Sequence, residues 1–270
     1  MKLLCVDLDG TLLDSEKNIS DGNLAAINEM VARGHRFAIV TGRPLKSALR
    51  VAEDNDLCRP GMYVASFNGG QIYDCAGRKI IHEERMDPAL AAYVFKKAEE
   101  ANLHIHTYND THVICSRDDE ELRFYLKNTK LEAVITDDPL GYLDKPPIKL
   151  IVMSMGGREV LEPFRDSLHN WAEGKLSSIF SHPTLLEYSS VSLGKGKAVE
   201  MLCKLCDVRI EDSIACGDEE NDLTMLEMAG LGVAMQNATD TVKAASGYIT
   251  ENDNDHDGIS EVIGKFILNP

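Results

Sequence analysis

Two features of the sequence predict an α/β protein with a Rossmann-like parallel-sheet core and an inserted α+β cap domain. Short, wholly apolar runs alternate with amphipathic helical stretches at both ends of the 270-residue chain, the pattern of βαβ units. Between them, from about residue 84 to 185, the rhythm changes to helices mixed with hairpin-like strands. The expected divisions are residues 1–83 for the first part of the core, 84–185 for the cap and 186–270 for the second part of the core.

The first apolar run, residues 3–6, reads as a buried parallel strand and leads into Asp7-Leu8-Asp9-Gly10-Thr11. Residues two apart on an extended chain point the same way, so Asp7 and Asp9 are expected to share a small volume beyond the strand end. In an open α/β sheet that is where ligands bind. Two carboxylates at ~4 Å repel by roughly 4 kcal/mol at an effective dielectric near 20. Such a pair calls for a cation between them or a proton on one of them.

Ser20 is placed to cap a helix over 20–33, which Gly34 stops. A second strand at 37–40 ends in Thr41-Gly42-Arg43-Pro44, with Thr41 as the expected cap of the next helix and Pro44 in its first turn. A third strand at 62–65 runs into Ser66-Phe67-Asn68-Gly69-Gly70. The insert reads as a helix over 88–101, a hairpin over 103–116 turning at Asn109-Asp110, and a helix over 118–128. A loop over 138–147, a strand at 149–154, a helix over 159–171 and short strands near 177–180 and 185–188 complete an antiparallel α+β unit. The core resumes with a helix opened by Gly194-Lys195-Gly196 and a strand at 213–216 ending in Gly217-Asp218-Glu219-Glu220-Asn221-Asp222. A helix over 223–229, strands near 232–235 and 248–250, and a helix over 258–266 follow.

Placed at strand ends of one parallel sheet, Asp7, Asp9, Thr41, Gly42, Asn68, Asp218, Asn221 and Asp222 converge on one rim, with Lys195 nearby. Acids for a cation beside a hydroxyl, helix-start amides and a lysine for an anion point to phosphate chemistry. The net charge of −16 argues against nucleic-acid and anionic-membrane partners. No apolar run reaches the ~18 residues of a membrane span. The opening strand excludes a secretory signal, and seven scattered cysteines suit a reducing compartment, so a cytoplasmic protein is expected.

Asp7-Leu8-Asp9-Gly10-Thr11, Thr41-Gly42-Arg43, Lys195-Gly196 and Gly217-Asp218-Glu219-Glu220-Asn221-Asp222 resemble the four ordered motifs of the haloacid dehalogenase superfamily. The insert between the second and third motifs, Phe67-Asn68-Gly69-Gly70 and the stretch from Gly232 to Ala238 are similar to its Cof-like phosphatase branch. The resemblance implies a Mg²⁺-dependent phosphatase acting on phosphate monoesters of small metabolites, sugar phosphates or phosphorylated cofactors, through an aspartyl-phosphate. It implies Asp7 as nucleophile and Asp9 as proton donor and then base. It implies Asp7, Asp9 (through its carbonyl), Asp218 and, through water, Asp222 at the metal, and the Leu8 amide, Thr41, Gly42, Lys195 and Asn221 at the phosphoryl group. Of the two lysines in Gly194-Lys195-Gly196-Lys197, the pattern selects Lys195. A phosphomutase of the same superfamily and a phospho-accepting signalling protein without turnover are the alternatives.

Three other patterns point elsewhere. Cys203-Lys204-Leu205-Cys206 has metal or redox spacing, yet it falls inside an amphipathic helix with no second pair, as buried core thiols do. The acidic run from Asp253 to Gly258 starts like a calcium loop but has Gly264 where a bidentate Glu is needed. His104, His106 and Tyr108 alternate onto one strand face, read as a polar face, with substrate contact as the rarer alternative.

Overall fold

The computed structural model describes residues 1–269. They divide into two compact units, one formed by Met1–Glu83 with Gly194–Pro270 and the other by Glu84–Leu193. The second boundary therefore falls at 193/194 and not at the expected 185/186. The reason is a strand, Leu185–Ser190, that pairs only with strands of the inserted unit.

The first segment of the core unit carries β1 (Leu3–Val6), α1 (Asp21–Ala32), β2 (Arg36–Val40), α2 (Leu45–Asp54), β3 (Met62–Ser66), β4 (Gln71–Asp74) and β5 (Lys79–Glu83). The inserted unit carries α3 (Pro88–Glu100), β6 (His104–Tyr108), β7 (His112–Cys115), α4 (Glu120–Thr129), β8 (Glu132–Ile135), β9 (Lys149–Met153), α5 (Arg158–Ala172), β10 (Leu176–His182) and β11 (Leu185–Ser190). The chain returns to the core with α6 (Lys195–Cys206), β12 (Ser213–Gly217), α7 (Leu223–Met228), β13 (Leu231–Ala234), α8 (Asp240–Ala245), β14 (Tyr248–Ile249) and α9 (Gly258–Ile263).

Among the described residues the core sheet has the order β14-β13-β12-β1-β2-β3-β4-β5. It is parallel from β14 to β3, and the β4–β5 hairpin extends one edge antiparallel. Strand β1 is central and buried along its length. Its alternate side chains serve two cores, as the two-residue period requires. Leu4 and Val6 pack with Ile27 and Met30 of α1, Ala48 and Ala52 of α2, and Ile259 and Val262 of α9. Leu3 and Cys5 pack with Val199 and Leu202 of α6, Met225 of α7 and Val242 of α8. Helices therefore cover both faces of a doubly wound sheet.

Side-chain caps head α1, α3, α4 and α8. The Ser20 side chain accepts from the Asn23 amide at the head of α1. The expected cap by Thr41 is not formed: α2 begins after Pro44, and the Thr41 hydroxyl instead accepts from the Arg43 amide at 3.2 Å. That pairing folds the loop back on itself and keeps Thr41 at the sheet rim.

In the inserted unit the sheet order is β10-β11-β9-β6-β7-β8. It is mixed and not purely antiparallel, because β8, a strand outside the sequence expectation, runs parallel to β7. Helices α3 and α5 cover one face through Val94, Phe95, Leu161 and Phe164, packed on Ile105, Leu150, Val152 and Tyr188. His104, His106 and Tyr108 lie on the other face and are buried. Cys203 and Cys206 are buried in the core unit, as core thiols should be.

Candidate active site

Parallel register places the loops after β1, β2, β3 and β12 along one edge. Val6 pairs with Cys216 on one side and Ile39 on the other, and Val40 pairs with Ala65. The sheet changes direction of travel between β1 and β12, so Asp7 and Asp218 emerge at the switch point, where a crevice opens.

Buried charge fills this point. Lys195 Nζ donates to Asp7 Oδ1 at 2.7 Å and to Asp222 Oδ1 at 2.5 Å. Lys195 is 2% exposed and Asp222 is fully buried. The other oxygen of Asp222 accepts from the backbone amides of Asp218 and Glu219, at 3.0 and 3.2 Å. Asp222 thereby shapes the turn that presents Asp218. Thr11 Oγ1 donates to Asp218 Oδ1 at 2.7 Å, tying the first loop to the fourth. Gly10 makes this approach possible: it has φ +77°, and a Cβ there would lie 2.3 Å from Asp218 Oδ2.

Ligand atoms of Asp7, Asp218 and Asp222 lie within 4.8 Å of one another. Three carboxylates surround one ammonium, so the cluster has excess negative charge when all are ionised. Burial raises the Asp7 carboxyl to about 6, against the opposing pull of Lys195. Burial likewise raises Asp218 to about 7, opposed by the Thr11 hydrogen bond and reinforced by the charges of Asp7 and Asp222. Lys195 is held above its ordinary range: burial lowers it, but Asp7 and Asp222 more than offset that. An all-oxygen donor set with surplus negative charge fits a hard divalent cation.

Asp9 behaves differently from its expected partnership with Asp7. Its carboxylate is gripped by Arg43, with Nε to Oδ2 at 2.8 Å and a terminal nitrogen to Oδ1 at 2.6 Å, and Lys17 Nζ adds a 2.9 Å contact. Burial would raise Asp9, but the Arg43 and Lys17 hydrogen bonds hold it below the usual carboxylate range. The carboxylates that crowd Asp7 are thus Asp218 and Asp222. The tight loop after β1 is the cause: Leu12 and Leu13 amides return to the carbonyls of Asp7 and Leu8, so the chain no longer alternates as a strand beyond Val6.

The remaining expected residues divide. Thr41 is buried at the rim and Gly42 lies against the Asn68 carboxamide. The Leu8 amide donates to the Asp7 carboxylate. Lys197 is exposed and pairs with Glu200, which leaves Lys195 as the lysine of the cluster. Asn221 is exposed in the turn after β12. Sequence reasoning missed Arg43 and Lys17 as partners of Asp9, Thr11 as the partner of Asp218, and Asn237, whose Nδ2 donates to the Gly10 carbonyl at 2.8 Å. Arg43 was visible as the third residue of Thr41-Gly42-Arg43; the others lie where a sequence shows no pairing.

A doubly wound sheet that gathers a buried lysine and three acids at its switch point defines an α/β enzyme with a cation-competent site. Residues 4–263 match the haloacid dehalogenase-like hydrolase family, and the chain belongs to that family. A haloacid dehalogenase-like hydrolase from Bacteroides thetaiotaomicron is 29% identical and superposes with a TM-score of 0.89 over 98% of each chain. Two Bacillus subtilis proteins named 5-amino-6-(5-phospho-D-ribitylamino)uracil phosphatase, YwtE and YcsE, are each 29% identical over 99% of this chain, and the matches span 98% and 96% of their own lengths. Among the described residues no helix is long and apolar enough to cross a membrane.

Proposed function

We propose that this enzyme is a Mg²⁺-dependent phosphatase that hydrolyses phosphate monoesters of small metabolites through an aspartyl-phosphate on Asp7. The observation that carries this reading is the Asp7–Lys195–Asp222 contact beside Asp218: a nucleophilic oxygen, a fixed cation and surplus acids at one point. Phosphatase names on relatives that span the whole chain support it.

Asp7, Asp218 and, through water, Asp222 would hold Mg²⁺, with the Asp9 carbonyl as a further ligand. The ion would draw charge from the phosphoryl oxygens and keep Asp7 ionised. Asp7 then attacks phosphorus. Lys195 neutralises charge beside the attacking oxygen, while Thr41, the Gly42 and Leu8 amides and Asn221 hold the phosphoryl oxygens. Asp9 protonates the leaving alcohol and next takes a proton from the hydrolytic water. Arg43 and Lys17 hold Asp9 as an anion, so release of this clamp precedes protonation. The inserted unit is assigned as the cap domain. Sugar phosphates and phosphorylated cofactors are the substrate classes, and the phosphoribityl compound in the names of the two Bacillus relatives joins them. The unpaired cysteines support a cytoplasmic setting.

The test is Asp7→Asn. Turnover of a phosphate monoester with Mg²⁺ should fall on the order of 10⁴-fold or more, the scale of losing a covalent nucleophile. Inorganic phosphate should still bind. Retained turnover would defeat the assignment, and accumulation of a rephosphorylated product in wild type would favour a mutase.

A further inference from the structure

The turn after β1 brings two acid-bearing segments together across a glycine. Gly10 stands at φ +77°, and a Cβ on it would fall 2.3 Å from Asp218 Oδ2. Glycine permits that approach without fixing it, since no other residue has as much backbone freedom. The Leu12 and Leu13 amides close the turn on the carbonyls of Asp7 and Leu8. The Gly10 carbonyl is held from outside the turn, by Asn237 Nδ2 at 2.8 Å.

Asn237 lies in the loop between β13 and α8, and the same loop grips the other acid-bearing segment. The Met235 amide donates to the Gly217 carbonyl and the Thr239 amide to the Asp218 carbonyl, each at 3.0 Å. The backbone of this loop therefore takes the segment with Asp218, and its side chain takes the segment with Asp7. The carboxamide is itself oriented: Asn237 Oδ1 accepts from the Asn254 amide at 3.2 Å, which turns Nδ2 toward Gly10. Because a peptide unit is planar, fixing the Gly10 carbonyl also fixes the Thr11 amide. Thr11 is fully buried, and its hydroxyl donates to Asp218 Oδ1 at 2.7 Å. The tie that starts at Asn237 thus ends on a carboxylate of the acid cluster.

Asp7 and Asp218 repel each other when ionised, yet their ligand atoms lie within 4.8 Å. A site whose loops already stand at the binding distance spares an arriving ion the cost of ordering them. We infer that Asn237 is a positioning residue for the cation site: it holds Gly10 and Thr11 so that Asp7 and Asp218 are spaced for a divalent ion before the ion arrives. Asn254 offers the contrast, because its Nδ2 donates to the Leu13 carbonyl at 2.9 Å, beyond the acid-bearing part of the turn. The inference rests on the Mg²⁺ reading of the acid cluster and adds to it a residue outside the ligand set.

The experiment titrates Mg²⁺ into metal-free protein by calorimetry, at fixed pH and without substrate. Asn237→Ala should weaken Mg²⁺ binding about 2- to 10-fold, the worth of one net hydrogen bond. Asn254→Ala should lower the Tm of the metal-free protein and keep the wild-type Mg²⁺ affinity. Unchanged affinity in Asn237→Ala would overturn the inference. Equal weakening in both variants would also overturn it and reduce Asn237 to general support of the turn. Where an alanine variant does not fold, the serine variant at the same position is judged by the same outcomes. Wild type that binds no Mg²⁺ would defeat the cation reading, whereas wild type that binds it alongside an unaffected Asn237→Ala would defeat this inference alone.

Discussion

The two units bury polar groups in opposite ways. On the inserted unit's sheet, Asp119 accepts from His104 Nδ1 at 2.8 Å. Neutral His104 must then accept at Nε2 from His106 Nδ1, at 3.0 Å. His106 Nε2 accepts from the Tyr108 hydroxyl at 3.2 Å, and Tyr108 accepts from Tyr125 of α4 at 2.5 Å. Each ring nitrogen and hydroxyl in this chain has a protein partner. At the core unit's rim the sum does not close: Asp7, Asp218 and Asp222 outnumber Lys195. Buried polarity that is complete fastens a helix to a sheet. Buried polarity that is incomplete leaves a position for something from outside.

The strongest way to test the rim's half of this contrast is the proton on Asp9. Asp9→Asn should lower kcat for an alkyl phosphate by roughly 10²- to 10⁴-fold, the usual range for a general acid. An activated aryl phosphate, whose leaving group needs no proton, should lose much less. Equal losses, measured side by side, would remove Asp9 from the acid role.

Next comes Lys195→Met, which leaves two buried carboxylates without their cation. Unfolding by denaturant should show a loss of about 3–5 kcal/mol, the scale of breaking a buried ion pair from one side. A smaller loss in the presence of Mg²⁺ would show that a divalent ion takes over the compensating charge.

The two regions should also answer pH with opposite signs. Asp7 and Asp218 have folded-state values raised to about 6 and about 7, above the ~3.9 of an unfolded carboxyl. Between about pH 4 and 7 the folded form holds more protons than the unfolded form, so their contribution to stability falls as pH rises through that window. His106 lies far below its ordinary value, because burial disfavours its charge and His104 and Lys149 add to this. The unfolded form then takes up protons below about pH 6.5, and stability contributed by His106 is lost as pH falls. Metal-free protein should therefore melt highest at intermediate pH. Mg²⁺ should raise Tm most above pH 7, where both acids are ionised. A Mg²⁺ effect that is flat across pH would separate the cation from these two groups.

The smallest expected effect probes the closed chain. Tyr108→Phe removes the donor to His106 and the acceptor for Tyr125, and should lower stability by about 1–3 kcal/mol with no preference for any phosphate ester. A change in relative kcat/KM among substrates would contradict the view that this chain is only structural.

The contrast also explains what the sequence could reveal. Strands β1, β2, β3 and β12 were legible because a strand buried on both faces is apolar throughout, and a short apolar run bounded by Gly, Asp or Thr has few other readings. Their ends placed Asp7, Thr41, Asn68 and Asp218 at the rim. Strands β4, β5 and β8 escaped notice because partly or fully exposed residues such as Tyr73, Lys79 and Glu132 interrupt any apolar run. Helix α8, six residues with Val242 as its buried residue, also escaped notice. The pairing of Asp7 with Asp9 was misread because the two-residue period was carried past Val6, where the chain turns. The Asp9–Arg43 clamp and the Thr11–Asp218 bond join residues 34 and 207 apart, and local pattern carries no record of such contacts.

That distance has a bearing on how the protein is made. Strand β1 needs β12 as a neighbour, and Asp7 meets its lysine 188 residues further along the chain. During synthesis from the N-terminus the first strands leave the ribosome long before β12 exists, so one flank of the future central strand waits with open amides and carbonyls. The complete insert is translated in that interval and has time to fold on its own contacts. Closure of the central sheet is the late, long-range step, and the nascent chain is most prone to aggregate just before it.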